Sequence, residues 1–304
     1  MSATHEGQGR APAASIARDA RDIGGVREEA IRLGPEGQLV GVASYPPEGT
    51  QLSERRPGVI VLNAGVLHRV GPHRLHVSLT RRLAAGGYPC ARIDLGWIGD
   101  STATSDAITF HESAVNDTRA AMTTLDRMLG ARRYVIFGVC AGADNAIATA
   151  IADERVAAIV IVDPAVYGTP RALLRELSRR AASPEGIVKA LRWGARVTRN
   201  RLRREVARLR RVDIPAEGRE YPPPRVFGDQ LARLAGRGVR VLAIYSGIHD
   251  ERYNHEDQLF ESFPALRGRI DRVYFPDANH TFTQLDDQAA LIEATARWIT
   301  GQVR

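Results

Sequence analysis

The chain predicts an α/β fold: a mostly parallel, twisted sheet of about eight strands, helices on both faces, and a helical cap. Three observations carry this. Apolar runs of strand length alternate with helical stretches, the pattern of βαβ units with both sheet faces covered. A hairpin-like pair of strands precedes them. One strongly basic segment contains helical stretches and no strand. With 304 residues the chain buries about three quarters of its unfolded surface and needs no disulfide framework. Its 44% hydrophobic and 25% charged residues exclude collagen-like, mucin-like and wholly disordered chains.

The elements follow in order. Residues 1–28, rich in Ala, Gly, Arg and Ser, predict a flexible extension. Ala30-Ile31-Arg32-Leu33, the turn Gly34-Pro35-Glu36-Gly37, and Gln38 to Ala43 predict strand, turn, strand. Gly58 to Leu62 is an apolar strand ending in the loop Asn63-Ala64-Gly65. A helix is expected over 72–85, stopped by Gly86-Gly87. Strand 90–95, helix 112–129, strand 134–137, helix 141–153 and strand 158–163 come next. After the basic segment the pattern predicts a helix over 229–234, strands over 239–245 and 272–275, and an amphipathic last helix over 286–299.

Residues 164–238 carry 18 arginines and lysines against seven acidic residues, a net +11, so the rest of the chain stands at −4. Helices are expected there over 171–180 and 187–212, inserted between two strands of the sheet as a cap or lid. The core is then 29–163 with 239–304. Two cysteines, Cys90 and Cys140, fit a reducing compartment. No basic run followed by an apolar stretch marks a leader at the start, and no apolar run reaches the roughly 18 residues of a membrane span. A cytoplasmic protein without membrane contact is expected, with a homodimer left open.

The chemistry concentrates in Gly138-Val139-Cys140-Ala141-Gly142, a G-x-C-x-G at a strand-to-helix junction. A turn that sharp strains its central residue and projects the side chain from the sheet, and the flanking glycines let backbones approach. The helix N-terminus aims free N–H groups and partial positive charge at the thiol, favouring its thiolate. Asp144, in the first helical turn, suits that dipole but opposes a thiolate. Cys90, inside a strand, reads as a buried structural residue. No G-x-S-x-G competes.

On these residues the chain resembles the α/β-hydrolase superfamily from about Ala30 to the C-terminus, and the resemblance implies that fold and its order of nucleophile, acid, histidine. Gly247-Ile248-His249-Asp250, after the strand 239–245, is similar to the family's acid loop, and Pro276-Asp277-Ala278-Asn279-His280 lies where the family places its histidine. The expected roles are Cys140 as nucleophile, His280 as proton carrier and Asp250 as the acid that orients the imidazole. Glu251, Asp277 and Asp163 compete with Asp250; Asp163 ends the strand from which some members draw their acid. The oxyanion donors would be the Ala141 N–H and one from the loop after strand 58–62, Val66 or else Gly65. That loop has Asn63-Ala64-Gly65 in place of the family's usual His-Gly pair. His68 and Arg69 are candidates for the pocket wall, in a string (His68 to Arg74) similar to that of a bacterial subgroup found beside biosynthetic or export genes. Asp100, in the loop 94–101, is expected to hold that loop.

Cysteine as nucleophile occurs in the dienelactone hydrolases of this superfamily. A thiolate attacks activated esters, lactones and thioesters readily, and the acyl-cysteine keeps its transfer potential. Two enzymatic readings follow: an acyl hydrolase, or an acyltransferase passing an acyl group from a thioester to an alcohol or amine. A third is a non-catalytic binding protein on the same fold. The partner is then a small acyl substrate, and the basic segment suits an acyl carrier protein or CoA thioester. Nucleic acid is not expected, because aromatic residues are sparse there and no recognition motif occurs. No cofactor is implied. His68, His73 and His76 lack further ligands at zinc-like spacing, so no metal is expected either.

Overall fold

The computed structural model describes residues 21–23, 25–50, 56–102, 109–181, 199, 219, 221–248 and 253–303. Nine strands form one sheet: β1 (Arg21–Ile23), β2 (Val26–Leu33), β3 (Leu39–Tyr45), β4 (Gly58–Val61), β5 (Cys90–Ile93), β6 (Tyr134–Val139), β7 (Val156–Val162), β8 (Arg240–Ser246) and β9 (Asp271–Phe275). Their order is β1-β2-β3-β5-β4-β6-β7-β8-β9. The ladders from β1 to β5 are antiparallel, and those from β5 through β4 to β9 are parallel. All six parallel strands therefore point their carboxyl ends to one edge, where loops in an open α/β sheet collect a site.

The helices are α1 (Leu75–Ala85), α2 (Phe110–Leu129), α3 (Ala141–Ala152), α4 (Pro170–Ala181), α5 (Pro224–Gly236), α6 (Gln258–Ser262) and α7 (Leu285–Gln302), and a 3-10 turn at 72–74 precedes α1. The central strands β4, β5, β6 and β7 are buried throughout. Because successive strand residues face opposite sides, each such strand feeds two cores. Val59, Val61, Val135, Phe137, Val160 and Val162 pack with α1 and α7. Ile60, Leu62, Ile136, Ile159 and Ile161 pack with α2, α3 and α5. Helix α2 starts at a capping box in which Thr109 and Glu112 bond each other's backbone N–H, and stops at Gly130 at φ 64°.

Two expected boundaries are corrected. The chain is already ordered before residue 28, since β1 and β2 pair as a hairpin with Gly25 at φ 81° in the turn. The Gly24-Gly25 pair was the available signal. Buried Glu28 then fastens the hairpin: Arg92 reaches it at 2.6 Å and Arg81 at 2.6 Å. The segment expected as a cap also meets the core before residue 238. Helix α5 buries Phe227, Leu231 and Leu234 in the core, which makes it part of the sheet's covering layer. The helix expected over 187–212 lies outside the described residues, apart from Arg199. Short helix α6 was not anticipated. Among the described residues no helix is long and apolar enough to cross a membrane.

Candidate active site

Strand β6 ends at Val139 and α3 begins at Ala141, so Cys140 alone makes the turn between them. It does so at φ 57° and ψ −121°, a strained backbone state costing on the order of 1–3 kcal/mol. The flanking glycines are what make the turn possible. A Cβ on Gly138 would collide with the Gly142 carbonyl, and one on Gly142 would lie 2.5 Å from the Asn63 oxygen. The Cys140 N–H donates to Val162 at 3.0 Å, tying the turn to β7, and its carbonyl accepts from Ala143 at 2.9 Å. The thiol is left half-buried at the carboxyl edge of the sheet.

His280 follows β9 in a loop with its own internal order. Asn279 accepts from the Thr283 N–H at 3.1 Å, and buried Phe282, at φ 49°, packs edge-on against Phe275. One ring nitrogen of His280, Nδ1, lies 2.8 Å from Asp163 Oδ2, and the ring also hydrogen-bonds the Cys140 thiol. Asp163 is almost completely buried, 1% exposed, directly after β7. Its carboxylate also accepts from the Ser246 N–H at 2.7 Å and the Ser246 hydroxyl at 2.6 Å. Strands β7 and β8 pair Val162 with Ile244, which brings Ser246 beside Asp163.

Electrostatics bias this trio toward charge separation. Burial alone raises the Cys140 thiol, but the His280 ring, the Arg219 guanidinium and the Ala141 N–H outweigh it and bring it below the ordinary thiol range. Burial alone pulls His280 down. Asp163 and the Cys140 sulfur reverse that and push it up to about 9. Both directions favour a thiolate beside an imidazolium. Cys90 is the opposite case: fully buried, bonded to the Tyr88 carbonyl at 3.1 Å, its thiol is pushed far up.

The remaining expected residues fall as follows. Ala141 presents its N–H to the sulfur. Gly65, at φ 59°, and Val66, exposed, lie in the loop after β4. That loop is closed on itself and tied to the loop after β5 by buried Asn63, whose side chain donates to the Leu67 carbonyl at 2.9 Å and Asp94 at 3.1 Å and accepts from the Leu95 N–H at 2.8 Å. His68 is exposed beside it. Arg69 spends its guanidinium on Asp94 and, at 2.8 Å, on Asp100, so it braces two loops. Asp250 and Glu251 lie outside the described residues. Among the described residues the carboxylate that meets His280 is that of Asp163.

Sequence reasoning missed two residues, Ser246 and Arg219. A polar residue ending the strand next to Asp163 was a usable signal for the first. Arg219 had none beyond Asp144, an acidic residue in the first turn that lacked an evident cation.

The arrangement is a strained strand-to-helix turn carrying a thiol, an imidazole beside that thiol, and a buried carboxylate behind the imidazole. Among curated proteins none matches the sequence. Solved structures of similar fold include an esterase of Pyrococcus furiosus, at 13% identity and TM-score 0.58, with 91% of this chain and 92% of that chain covered. The esterase domain of a Rhodothermus marinus protein aligns at 17% identity and TM-score 0.53, covering 92% and 100%. A cold-adapted esterase from an Arctic intertidal metagenomic library aligns at 15% identity and TM-score 0.52, covering 94% and 98%. The sequence pattern of the alpha/beta hydrolase family matches residues 60–294, most of the core strands and both ends of the site, and the chain belongs to that family.

Proposed function

We propose that the chain is an acyl hydrolase for activated esters, lactones or thioesters, working through Cys140, His280 and Asp163 and a covalent acyl-cysteine. One observation carries the reading. At the strained β6–α3 turn the Cys140 thiol meets an imidazole whose Nδ1 rests 2.8 Å from a buried carboxylate.

The steps follow from that geometry. The thiolate attacks the acyl carbon, and the negative charge moves to the carbonyl oxygen, beside the Ala141 N–H and a donor from Gly65 or Val66. The tetrahedral adduct collapses, the bond to the leaving oxygen or sulfur breaks, and the His280 imidazolium gives that atom its proton. Neutral His280 then takes a proton from water, whose oxygen attacks the thioester. The carboxylic acid leaves, and Cys140 departs as thiolate next to imidazolium. Asp163 holds Nδ1–H throughout, leaving the other nitrogen for the sulfur.

A second reading, acyl transfer to an alcohol or amine, is favoured by the cysteine itself, because a thioester intermediate retains the energy needed for transfer. Within this proposal the basic insertion suits an acidic acyl donor such as a CoA thioester or an acyl carrier protein. The test is intact-mass analysis during turnover of a short-chain p-nitrophenyl ester or acyl-CoA. Acylation of the wild type and none of Cys140→Ala is expected. Discharge by water supports hydrolysis; discharge only by added alcohol or amine supports transfer. Full turnover by Cys140→Ala refutes both.

A further inference from the structure

Arg219 comes from the segment between β7 and β8 and reaches three parts of the site. Its Nε lies 2.7 Å and its Nη2 2.5 Å from the two oxygens of Asp144, a forked pair with the helix that Cys140 heads. Its Nη1 donates to the main-chain carbonyl of Asp163 at 3.0 Å. Asp163 sits at φ 45°, outside the region favoured by ordinary residues, so that bond holds a strained backbone directly behind the histidine. The guanidinium also lies over the Tyr221 ring at 5.2 Å and is mostly buried.

The charge inventory gives this contact a consequence. Around the sulfur stand His280 from the β9 loop, Asp163 from the end of β7, Asp144 from α3 and Arg219 from the insertion, with the phenols of Tyr167 and Tyr221 near the last two. With a thiolate and an imidazolium in place, the site without Arg219 has three negative charges to one positive. Asp144 then repels the thiolate across one helical turn. Arg219 cancels that repulsion.

We propose that Arg219 is a positioning residue for the Cys140–His280 pair, its guanidinium neutralising Asp144, steadying the Asp163 backbone and stabilising the thiolate. This rests on Cys140 being the nucleophile. It makes the ionisation of the nucleophile depend on a side chain supplied by the insertion rather than by the sheet.

The experiment is the rate of Cys140 alkylation by iodoacetamide against pH, read by peptide mass, for wild type, Arg219→Ala, Arg219→Lys and Asp144→Asn, with folding checked by circular dichroism. The wild type should inflect below the ordinary thiol range, lowered by the His280 ring and the Arg219 guanidinium against the effect of burial. Arg219→Ala should move the inflection up, lowering the rate at pH 6 about tenfold. Arg219→Lys should stay near the wild type, since charge is retained. Asp144→Asn should move the inflection down, because a repelling carboxylate is lost while the Asp163 anchor remains. A merely structural ion pair moves Arg219→Ala and Asp144→Asn the same way, and that result overturns the proposal. So does an Arg219→Ala profile that superimposes on the wild type. A wild type whose inflection stays in the ordinary thiol range refutes the nucleophile itself and is thereby distinguishable.

Discussion

Replacing Asp163 with asparagine tests the core of the site most directly. The carboxylate accepts three hydrogen bonds, from the Ser246 N–H at 2.7 Å, the Ser246 hydroxyl at 2.6 Å and His280 Nδ1 at 2.8 Å. An amide of the same shape has one accepting oxygen. With that oxygen kept on the Ser246 N–H, the NH2 group faces His280 Nδ1 and donates to it. The imidazole is then driven to carry its proton on the other nitrogen, the one that must accept from the thiol. The charge is lost as well. Asp163 is the foremost of the groups raising His280, with the Cys140 sulfur second, and together they bring it to about 9 against the usual 6.5. At ~1.36 kcal/mol per pH unit, most of that gap is worth about 2–3 kcal/mol of imidazolium stabilisation. Asp163→Asn should therefore lower kcat/KM at least about a hundredfold, with the wrong tautomer adding to the loss.

The assay is p-nitrophenyl ester hydrolysis across pH, run beside Asp250→Asn and Ser246→Ala, with thermal unfolding confirming that each variant folds. Asp250→Asn should keep turnover within a few-fold of the wild type. Ser246→Ala should fall between, since it removes one of the bonds that aim the carboxylate. Wild-type turnover by Asp163→Asn together with a large loss in Asp250→Asn refutes the assignment of the acid.

Three further outcomes follow from the same geometry. Gly142→Ala places a Cβ 2.5 Å from the Asn63 carbonyl, so either the elbow or the loop after β4 must shift; a stability loss of about 1–3 kcal/mol by chemical denaturation and a much slower acylation are expected. In the folded protein iodoacetamide should label Cys140 and leave Cys90 untouched, because burial pushes the Cys90 thiol up; equal labelling by peptide mass contradicts this. The pH profile of kcat/KM should be bell-shaped. It should rise as Cys140 loses its proton below the ordinary thiol range, and fall near pH 9 as His280 loses the proton the leaving group needs; an activity still rising past pH 10 contradicts the ion pair.

What the sequence disclosed and what it withheld divide along a physical line. The α/β alternation was legible because buried strands read as apolar runs, and β4, β6 and β7 are buried at every position. The turn at Cys140 was legible because its requirements are local: a strand, two glycines and a helix within a few residues. The N-terminal hairpin is harder to read, because its only local signal is a glycine pair inside a polar, Ala- and Arg-rich stretch, and the basic composition of 164–238 masks the apolar inner face that Phe227, Leu231 and Leu234 give α5.

The partner of His280 belongs to a different category. Asp163 is 117 residues away in the chain, and it meets the imidazole only because β7 and β9 flank β8 and release their loops at one edge. Nothing near position 280 encodes that meeting, so motif spacing favours Asp250, whereas strand order brings the residue directly after β7 to the imidazole. The Asp144–Arg219 pair carries the point further. Read alone, Asp144 is a helix-favouring residue that harms the thiolate; paired at 2.7 Å with a guanidinium from 75 residues on, it becomes the anchor for the charge that protects it. A residue whose electrostatic effect is offset by a tertiary partner cannot be priced from its own position. Opposite shifts of the Cys140 inflection in Asp144→Asn and Arg219→Ala would measure that offset directly.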